Sequence, residues 1–392
     1  LQRRVTVARA AAAPGPDAQN ADGRLAARLI AWQRQHGRHE LPWQNTRDPY
    51  RVWLSEIMLQ QTQVVTVLGY YQRFLQRFPD VAALAAAPQD DVLALWSGLG
   101  YYSRARNLHR CAQAVVAQHG GAFPRSAAQL AELPGIGRST SAAIAAFCFG
   151  ERVAILDGNV KRVLTRALGF TGDLAEARQE KALWALAEAQ LPDVPAALPA
   201  HDGGARPSAA QPPASPDIVA YTQGLMDLGA TVCSQRKPAC DACPLAPLCV
   251  ARAQDRAEAY PVKTRKLKRS QRANTLLWLQ HAGRVWLVQR PDSGVWASLW
   301  TLPELADDEA AWALTETWPG EAWPLPAFKH VLTHLDWLLK PLLWRLPEAL
   351  SADRLAAVEQ ALPAGRWVRR DDALALGLPA PIRKLLAGPV PG

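Results

Sequence analysis

The stretch from Leu133 to Val163, LPGIGRSTSAAIAAFCFGERVAILDGNVKRV, limits the fold of this chain more than any other. Gly135 and Gly137, one residue apart, permit positive φ and close backbone approach. They lead into a predicted helix whose free N–H groups can hold a phosphate. Upstream, Ser126 followed by Gln129 reads as a capping box for a short helix SAAQLAEL. Ala142, Ala145 and Ala146 give the second helix a small face for close packing. An apolar, strand-like link, Ala154-Ile155-Leu156, then delivers Asp157 to the start of a further helix. The pattern is helix, hairpin turn, helix over 126–150, with a carboxylate beside a phosphate clamp. Taken alone, the glycine turn also fits a plain connection between two core helices.

Beyond this stretch the chain is helical for most of its first two thirds. RLAARLIAWQRQ, YRVWLSEIMLQQTQ, NLHRCAQAVVAQ and KALWALAEAQ repeat apolar residues at three- and four-residue spacing. Residues 191–216 form a Pro/Ala-rich insertion, after which DIVAYTQGLMDLGATVC is again helical. Residues 1–21, with Arg3, Arg4 and Arg9 among alanines, read as a disordered extension, although such a start also imitates an organelle transit peptide. Lys263, Arg265, Lys266, Lys268, Arg269 and Arg272 mark a basic linker over 261–272, either a solvated connector or a segment that lies along an anionic partner. After it the texture changes. TLLWLQ and RVWLVQR flank the turn His281-Ala282-Gly283, while LDWLLKPLLWRL and GRWVRR offer further strands. Ten of the fifteen tryptophans lie in this part, which predicts a separate mixed α/β core over 273–390.

With 392 residues the chain is long enough for two or three domains. A net charge of +9 favours nucleic acid as the partner, ahead of an anionic membrane surface. No apolar run approaches the length of a membrane span, and a soluble protein of a reducing, bacterial cytoplasm is expected. Four of the six cysteines, Cys233, Cys240, Cys243 and Cys249, follow one another with six, two and five residues between them. Such crowding points to metal ligation, by zinc or by an iron–sulfur cluster. Cys111 and Cys148 stand alone in helical patterns and read as buried core thiols.

The motifs LPGIGRSTSAAI and LDGNVKRV, the six-two-five cysteine loop and the upstream LPWQNTRDPYRVWLSEIMLQQTQ together resemble the helix-hairpin-helix base-excision DNA glycosylases. Within them the chain is similar to the branch that removes adenine mispaired with 8-oxoguanine. The resemblance is close from about Leu41 to Cys249 and looser after Arg272. It implies an all-α glycosylase core over 22–260, one 4Fe-4S cluster on the four cysteines, and a C-terminal α/β Nudix-like domain that reads 8-oxoguanine. DNA and adenine would lie between two helical subdomains of the core. The implied substrate is double-stranded DNA holding A·8-oxoguanine or, more weakly, A·G.

The roles that the resemblance implies also make chemical sense. Cleaving the bond between adenine and its sugar needs a proton for the leaving base and a negative charge for the sugar cation, so two carboxyl groups in different environments suit it. Glu56, on a helix where Trp53 and Ile57 mark an apolar face and Gln60 and Gln63 share a polar one, is the implied acid. Asp157 is the implied stabiliser or transient nucleophile, although an aspartate there also suits a helix cap. Asn159 would hold the catalytic acids and sugar. Ser139 stands where strand-cleaving relatives carry a lysine, so no amine is available for a Schiff base. Gln61 and Tyr101 would enter the duplex, with Arg104 and Arg106 as phosphate-binding charge, while Gly135, Gly137 and Arg138 grip the backbone. Trp43 and Leu59 would line the adenine pocket. Leu332, Thr333 and His334 align with a Phe-Ser-His reading loop, keeping the hydroxyl and imidazole and replacing the aromatic ring. The Nudix-like part lacks a Glu-rich metal helix, which argues against nucleotide hydrolysis there. A monomer is expected, with the linker open to a repair-protein partner. The rivals are a bifunctional glycosylase of the endonuclease III kind and a non-catalytic iron–sulfur protein that binds damaged DNA.

Overall fold

The computed structural model describes residues 24–193, 216–264 and 268–389. The expected extension 1–21, most of the insertion 191–216 and the linker centre at 265–267 lie outside the described residues. In chain order the helices are α1 (Arg24–His36), α2 (Pro49–Leu59), α3 (Val64–Arg77), α4 (Val81–Ala86), α5 (Gln89–Trp96), α6 (Ser103–His119), α7 (Ala127–Leu130), α8 (Arg138–Ile144), α9 (Gly158–Leu168), α10 (Ala177–Ala189), α11 (Pro216–Thr231) and α12 (Val250–Ala253). Then α13 (Asp308–Thr315), α14 (Ala352–Gln360), α15 (Arg370–Ala373) and α16 (Ala380–Ala387) interleave with the strands. The described residues form two compact units, one of residues 24–56 and 123–264, the other of residues 57–122 and 268–389.

The first unit holds no strand among its described residues. Its core joins Leu25 and Leu29 of α1, Leu164 of α9, Leu183 of α10 and Tyr221 and Leu228 of α11. The hairpin forms as the glycines require: Gly135 sits at φ +76°, and Gly137 is the extended residue that opens α8. The preceding helix is a single turn, capped by the Ser126 hydroxyl accepting from the Gln129 N–H at 3.3 Å. The Gln129 side chain accepts from the same hydroxyl instead of returning to the backbone, so only half of the expected capping box forms. A five-residue π turn, Ala145–Phe149, continues α8 and buries Cys148. At the end of the unit, Leu174 N–H donates to Val262 O and Asp173 accepts from Thr264 N–H.

In the second unit an eight-stranded sheet has the order β3-β2-β1-β7-β5, with β4 on β1, β6 on β7 and β8 on β2. Its strands are β1 (Ser270–His281), β2 (Arg284–Gln289), β3 (Trp300–Thr301), β4 (Glu304–Leu305), β5 (Glu321–Pro324), β6 (Phe328–Val331), β7 (Leu335–Arg345) and β8 (Gly365–Arg369). The predicted β1–β2 hairpin turns through Ala282 and Gly283, both at positive φ. β1 and β7 run parallel in register from Ser270↔Leu335 to Gln280↔Arg345. Leu277, Leu279, Trp286, Leu342 and Trp344 form a core on one side of the sheet. Strand β1 begins at Ser270, three residues inside the expected linker, and Arg269 and Arg272 there pair with Asp336 and Glu304.

The helices 57–122 differ from expectation at one place. YRVWLSEIMLQQTQ reads as one helix, but α2 ends at Leu59, Gln61 takes φ +56°, and Gln63 becomes the N-cap of α3. Gln63 therefore does not share a helix face with Glu56. The break has a physical cause: the Arg104 guanidinium takes the carbonyls of Ile57, Met58 and Gln60 that would continue the helical ladder.

Candidate active site

In the first unit, two carboxyl groups separated by about a quarter of the chain act on each other electrostatically. Asp157 is the N-cap of α9, its side chain accepting from Val160 N–H at 2.7 Å. Glu56 comes from α2, next to the buried Trp53 and Ile57, and is itself largely buried. Desolvation, and then the nearby Asp157 charge, push the Glu56 carboxyl up from 4.5 to about 8. Desolvation also raises Asp157, but there the N–H groups of Val160 and Asn159 and the charges of Arg162 and Lys161 oppose it. The Asp157 charge thus helps Glu56 hold its proton, while Asp157 itself sits against a helix N-terminus and two cations that favour its charged form. The two carboxyl groups therefore stand in different environments, Glu56 without an opposing cation among the causes of its shift and Asp157 with two.

The Asp157 turn is braced from three sides. The Ser139 hydroxyl accepts from Leu156 N–H at 3.0 Å, so the serine in the lysine's place ties α8 to the residue before the acid. Asn159 Oδ1 accepts from Arg162 at 2.9 Å, and the same guanidinium donates to Gly229 O at 2.6 Å and Cys233 O at 2.7 Å. One turn further on, Arg166 donates to Ser234 O and Gln235 O, and its Nη1 lies 3.4 Å from Cys233 Sγ. Sequence reading assigned no role to Arg162 and Arg166. The available signal was the i, i+3, i+7 spacing of Asn159, Arg162 and Arg166, which sets all three on one helix face.

At Gly229, on α11, an added Cβ would meet the Asn159 Cβ at 2.6 Å and its backbone at 3.2 Å. Gly229→Ala is therefore expected to displace the Asn159 turn, costing about 1–3 kcal/mol of stability and slowing any reaction that depends on Asp157 on the order of tenfold or more. Thermal melting and single-turnover kinetics measure both.

Cys233, Cys240, Cys243 and Cys249 line one hollow together with Arg166, Val232, Pro238 and Arg252. Among the described residues no three His, Cys, Asp or Glu side chains converge closely enough to hold a single metal ion. Four thiols around a shared hollow are a donor set that suits zinc or an iron–sulfur cluster. Burial pushes the Cys243 thiol up to about 11, so a bound metal would have to displace its proton. Cys111 and Cys148 are buried, as expected of core thiols.

Within the second unit, Tyr101 and Thr333 meet. Tyr101 is 47% exposed at φ +48°, and its hydroxyl lies 3.0 Å from Thr333 Oγ1. Leu332, Thr333 and His334 form the turn between β6 and β7, closed by Leu332 N–H donating to Leu335 O, with Thr333 and His334 exposed. Gln61 is exposed in its turn, and Leu59, the last residue of α2, is half-buried. Arg104 does not provide free charge for phosphates, and one amino group of the half-buried Arg106 is held by a main-chain carbonyl. Arg104 is buried, with six contacts to internal oxygens, and Arg106 donates to Ala297 O at 2.8 Å. In the first unit, Trp43 is buried, and Gly137 is exposed with open space around its Cα. Arg138 is exposed, stacked 3.9 Å over Trp184 and paired with Glu188.

Residues 54–189 match the family of HhH-GPD superfamily base excision DNA repair proteins, and residues 274–388 match the NUDIX domain family. The adenine DNA glycosylase of Buchnera aphidicola (subsp. Acyrthosiphon pisum) is 33% identical over 361 residues, covering 91% of this chain and 95% of the relative. The human adenine DNA glycosylase is 31% identical over 410 residues, covering 88% of this chain and 70% of the relative. The solved structure of a thermostable thymine-DNA glycosylase aligns over 59% of this chain and 97% of its own, at 27% identity and a TM-score of 0.48. With a relative above 30% identity matched along nearly its whole length, an all-α glycosylase core and a Nudix-like α/β domain, the chain belongs to the adenine DNA glycosylase family of base excision repair enzymes.

Proposed function

We propose that this enzyme excises adenine paired with 8-oxoguanine, and more slowly adenine paired with guanine, without cutting the DNA strand. The observation that carries this reading is the carboxyl pair: Glu56 raised to about 8 by burial and by Asp157, and Asp157 capping α9 beside two cations that favour its charged form. Glu56 donates its proton to the departing adenine. Asp157 stabilises the sugar cation or forms a transient bond to it, and Glu56, now ionised, takes the proton of the incoming water. Asn159 holds the Asp157 turn, and Ser139, which accepts from Leu156 N–H, offers no amine for a Schiff base. Trp43 and Leu59 border the adenine. Gln61 and Tyr101 enter the duplex, and Gly135, Gly137 and Arg138 contact its backbone, the arginine exchanging Glu188 for phosphate.

Tyr101 and Thr333 face the partner base together, which their hydroxyl contact supports. His334 adds an imidazole beside them, and Leu332 packs where the family's aromatic would lie. Cys233, Cys240, Cys243 and Cys249 hold a 4Fe-4S cluster, whose role when bound is to cross-link the loop that Arg162 and Arg166 fasten to α9. The enzyme acts as a monomer on DNA in the cytoplasm, its domains spanning 22–260 and 273–390. No described helix is long and apolar enough to cross a membrane.

Incubation with a duplex carrying A opposite 8-oxoguanine, followed by alkali, is expected to cut the strand at the adenine site, and omission of alkali is expected to leave it whole. Intact adenine after stoichiometric binding would overturn the catalytic reading, and breaks without alkali would overturn the assignment of Ser139. For the cluster, the purified protein is expected to absorb visible light and to release about four iron and four sulfide per chain. A colourless protein containing one zinc would replace that assignment.

A further inference from the structure

Gln61 and Tyr101 lie in separate segments, yet one guanidinium holds both. Arg104 Nη1 donates to the carbonyls of Ile57 at 2.9 Å, Met58 at 3.0 Å and Gln60 at 2.5 Å. Its Nη2 donates to Leu99 O and Gly100 O, each at 3.2 Å, and to Thr62 Oγ1 at 3.1 Å. The contacts at Gln60 and Thr62 bracket Gln61, and those at Leu99 and Gly100 immediately precede Tyr101. Both bracketed residues are non-glycine and occupy the left-handed region, at φ +56° and +48°. Such conformations persist only where the surroundings over-determine them, and they concentrate at functional sites. Arg104 as a whole is 8% exposed, and its guanidinium carbon lies 5.2 Å from the Trp96 ring and 5.6 Å from the Tyr101 ring. Trp96 Nε1 donates to Gly100 O and Tyr70 OH to Ser97 O, which secures the Tyr101 loop from behind.

We propose that Arg104 is a positioning residue for base extrusion: by fixing both backbones at once it sets Gln61 and Tyr101 as a pair, so its loss slows adenine's exit from the helix and leaves bond cleavage nearly intact. The proposal rests on the reading of Gln61 and Tyr101 as the residues that enter the duplex. A lysine cannot substitute, because a single ammonium centre does not span two sets of carbonyls as a planar fork does.

The test compares single-turnover excision by the full chain on two duplexes, one with adenine opposite 8-oxoguanine and one with adenine opposite an abasic site, where no partner base resists extrusion. Arg104→Lys is expected to be slower on the order of 30-fold on the paired substrate and less than about threefold on the unpaired one. Thr62→Val, which removes one of the six Arg104 contacts together with the Thr62 hydroxyl's own bond to Gln60 O at 3.3 Å, is expected to shift the ratio of the two rates the same way by about threefold. Equal slowing on both substrates would show a general structural role and overturn the proposal. Should Arg104→Lys fail to fold, an unchanged ratio in Thr62→Val overturns it alone. A double variant, Gln61→Ala with Tyr101→Ala, separates the two readings. If it keeps the wild-type ratio, the duplex-entry reading fails. If it shifts while Arg104→Lys and Thr62→Val do not, only the assignment of Arg104 fails.

Discussion

Glu56→Gln is expected to lower single-turnover excision by roughly 10³-fold or more while leaving binding to the mispaired duplex intact, since general acid catalysis accounts for an effect of that order. Glutamine keeps the size and hydrogen bonding of the acid and removes only its proton. The pH dependence tests the same residue in the wild-type enzyme. Because Glu56 works protonated and its carboxyl is raised to about 8, the rate is expected to hold through neutrality and to fall above about pH 8. Stability carries a matching sign. The folded state holds the Glu56 proton more tightly than the unfolded chain, so this group's contribution is full below its ordinary 4.5 and is lost as pH rises to about 8. The glutamine variant escapes that loss. Its melting temperature is expected to exceed that of wild type at pH 8.5 and to match it near pH 4, and a lower melting temperature at pH 8.5 would contradict the burial of a proton at this position.

How far such a site is legible in the sequence depends on whether a residue's role is set by its neighbours along the chain. Gly135 is legible because a turn at φ +76° favours glycine over side chains that are strained there, and Asp157 because a cap needs only the three residues after it. The strands of the C-terminal domain show in the alternation around His281-Ala282-Gly283 for the same reason. The family resemblance, built on such local motifs, agrees with the match to adenine DNA glycosylases along nearly the whole chain. Arg104 and Arg106 are the counterexamples. A guanidinium after an aromatic reads the same whether it faces solvent or the interior, and only the fold shows that it is spent on main-chain carbonyls. The helix break at Gln61 was hidden too, because glutamine has no preference for positive φ and its cause sits in another helix. The raised Glu56 carboxyl follows from desolvation and from a charge far along the chain, neither of which a local motif encodes.

Asp157→Asn is the sharper test of the pair, because it changes charge and keeps the cap. Asparagine accepts from the Val160 N–H as well as aspartate does, so the start of α9 and the fold are expected to survive. The anion that answers the sugar cation is gone, and excision is expected to fall on the order of 10³-fold. A purely structural role would end there, but electrostatic coupling predicts a second effect. The Asp157 charge is one of the two causes that raise Glu56, so in the variant Glu56 loses its proton at lower pH. The alkaline fall of the residual rate is therefore expected to move below that of wild type, and it should stay above the ordinary carboxylate range because desolvation, the larger cause, remains. Asp157→Ala makes the contrast: it should share the shifted profile and in addition lose about 1 kcal/mol of stability with the cap. An unshifted profile in the asparagine variant would mean that the two carboxyl groups do not feel each other, and the assignment of Asp157 as a cause of the raised Glu56 carboxyl would fall.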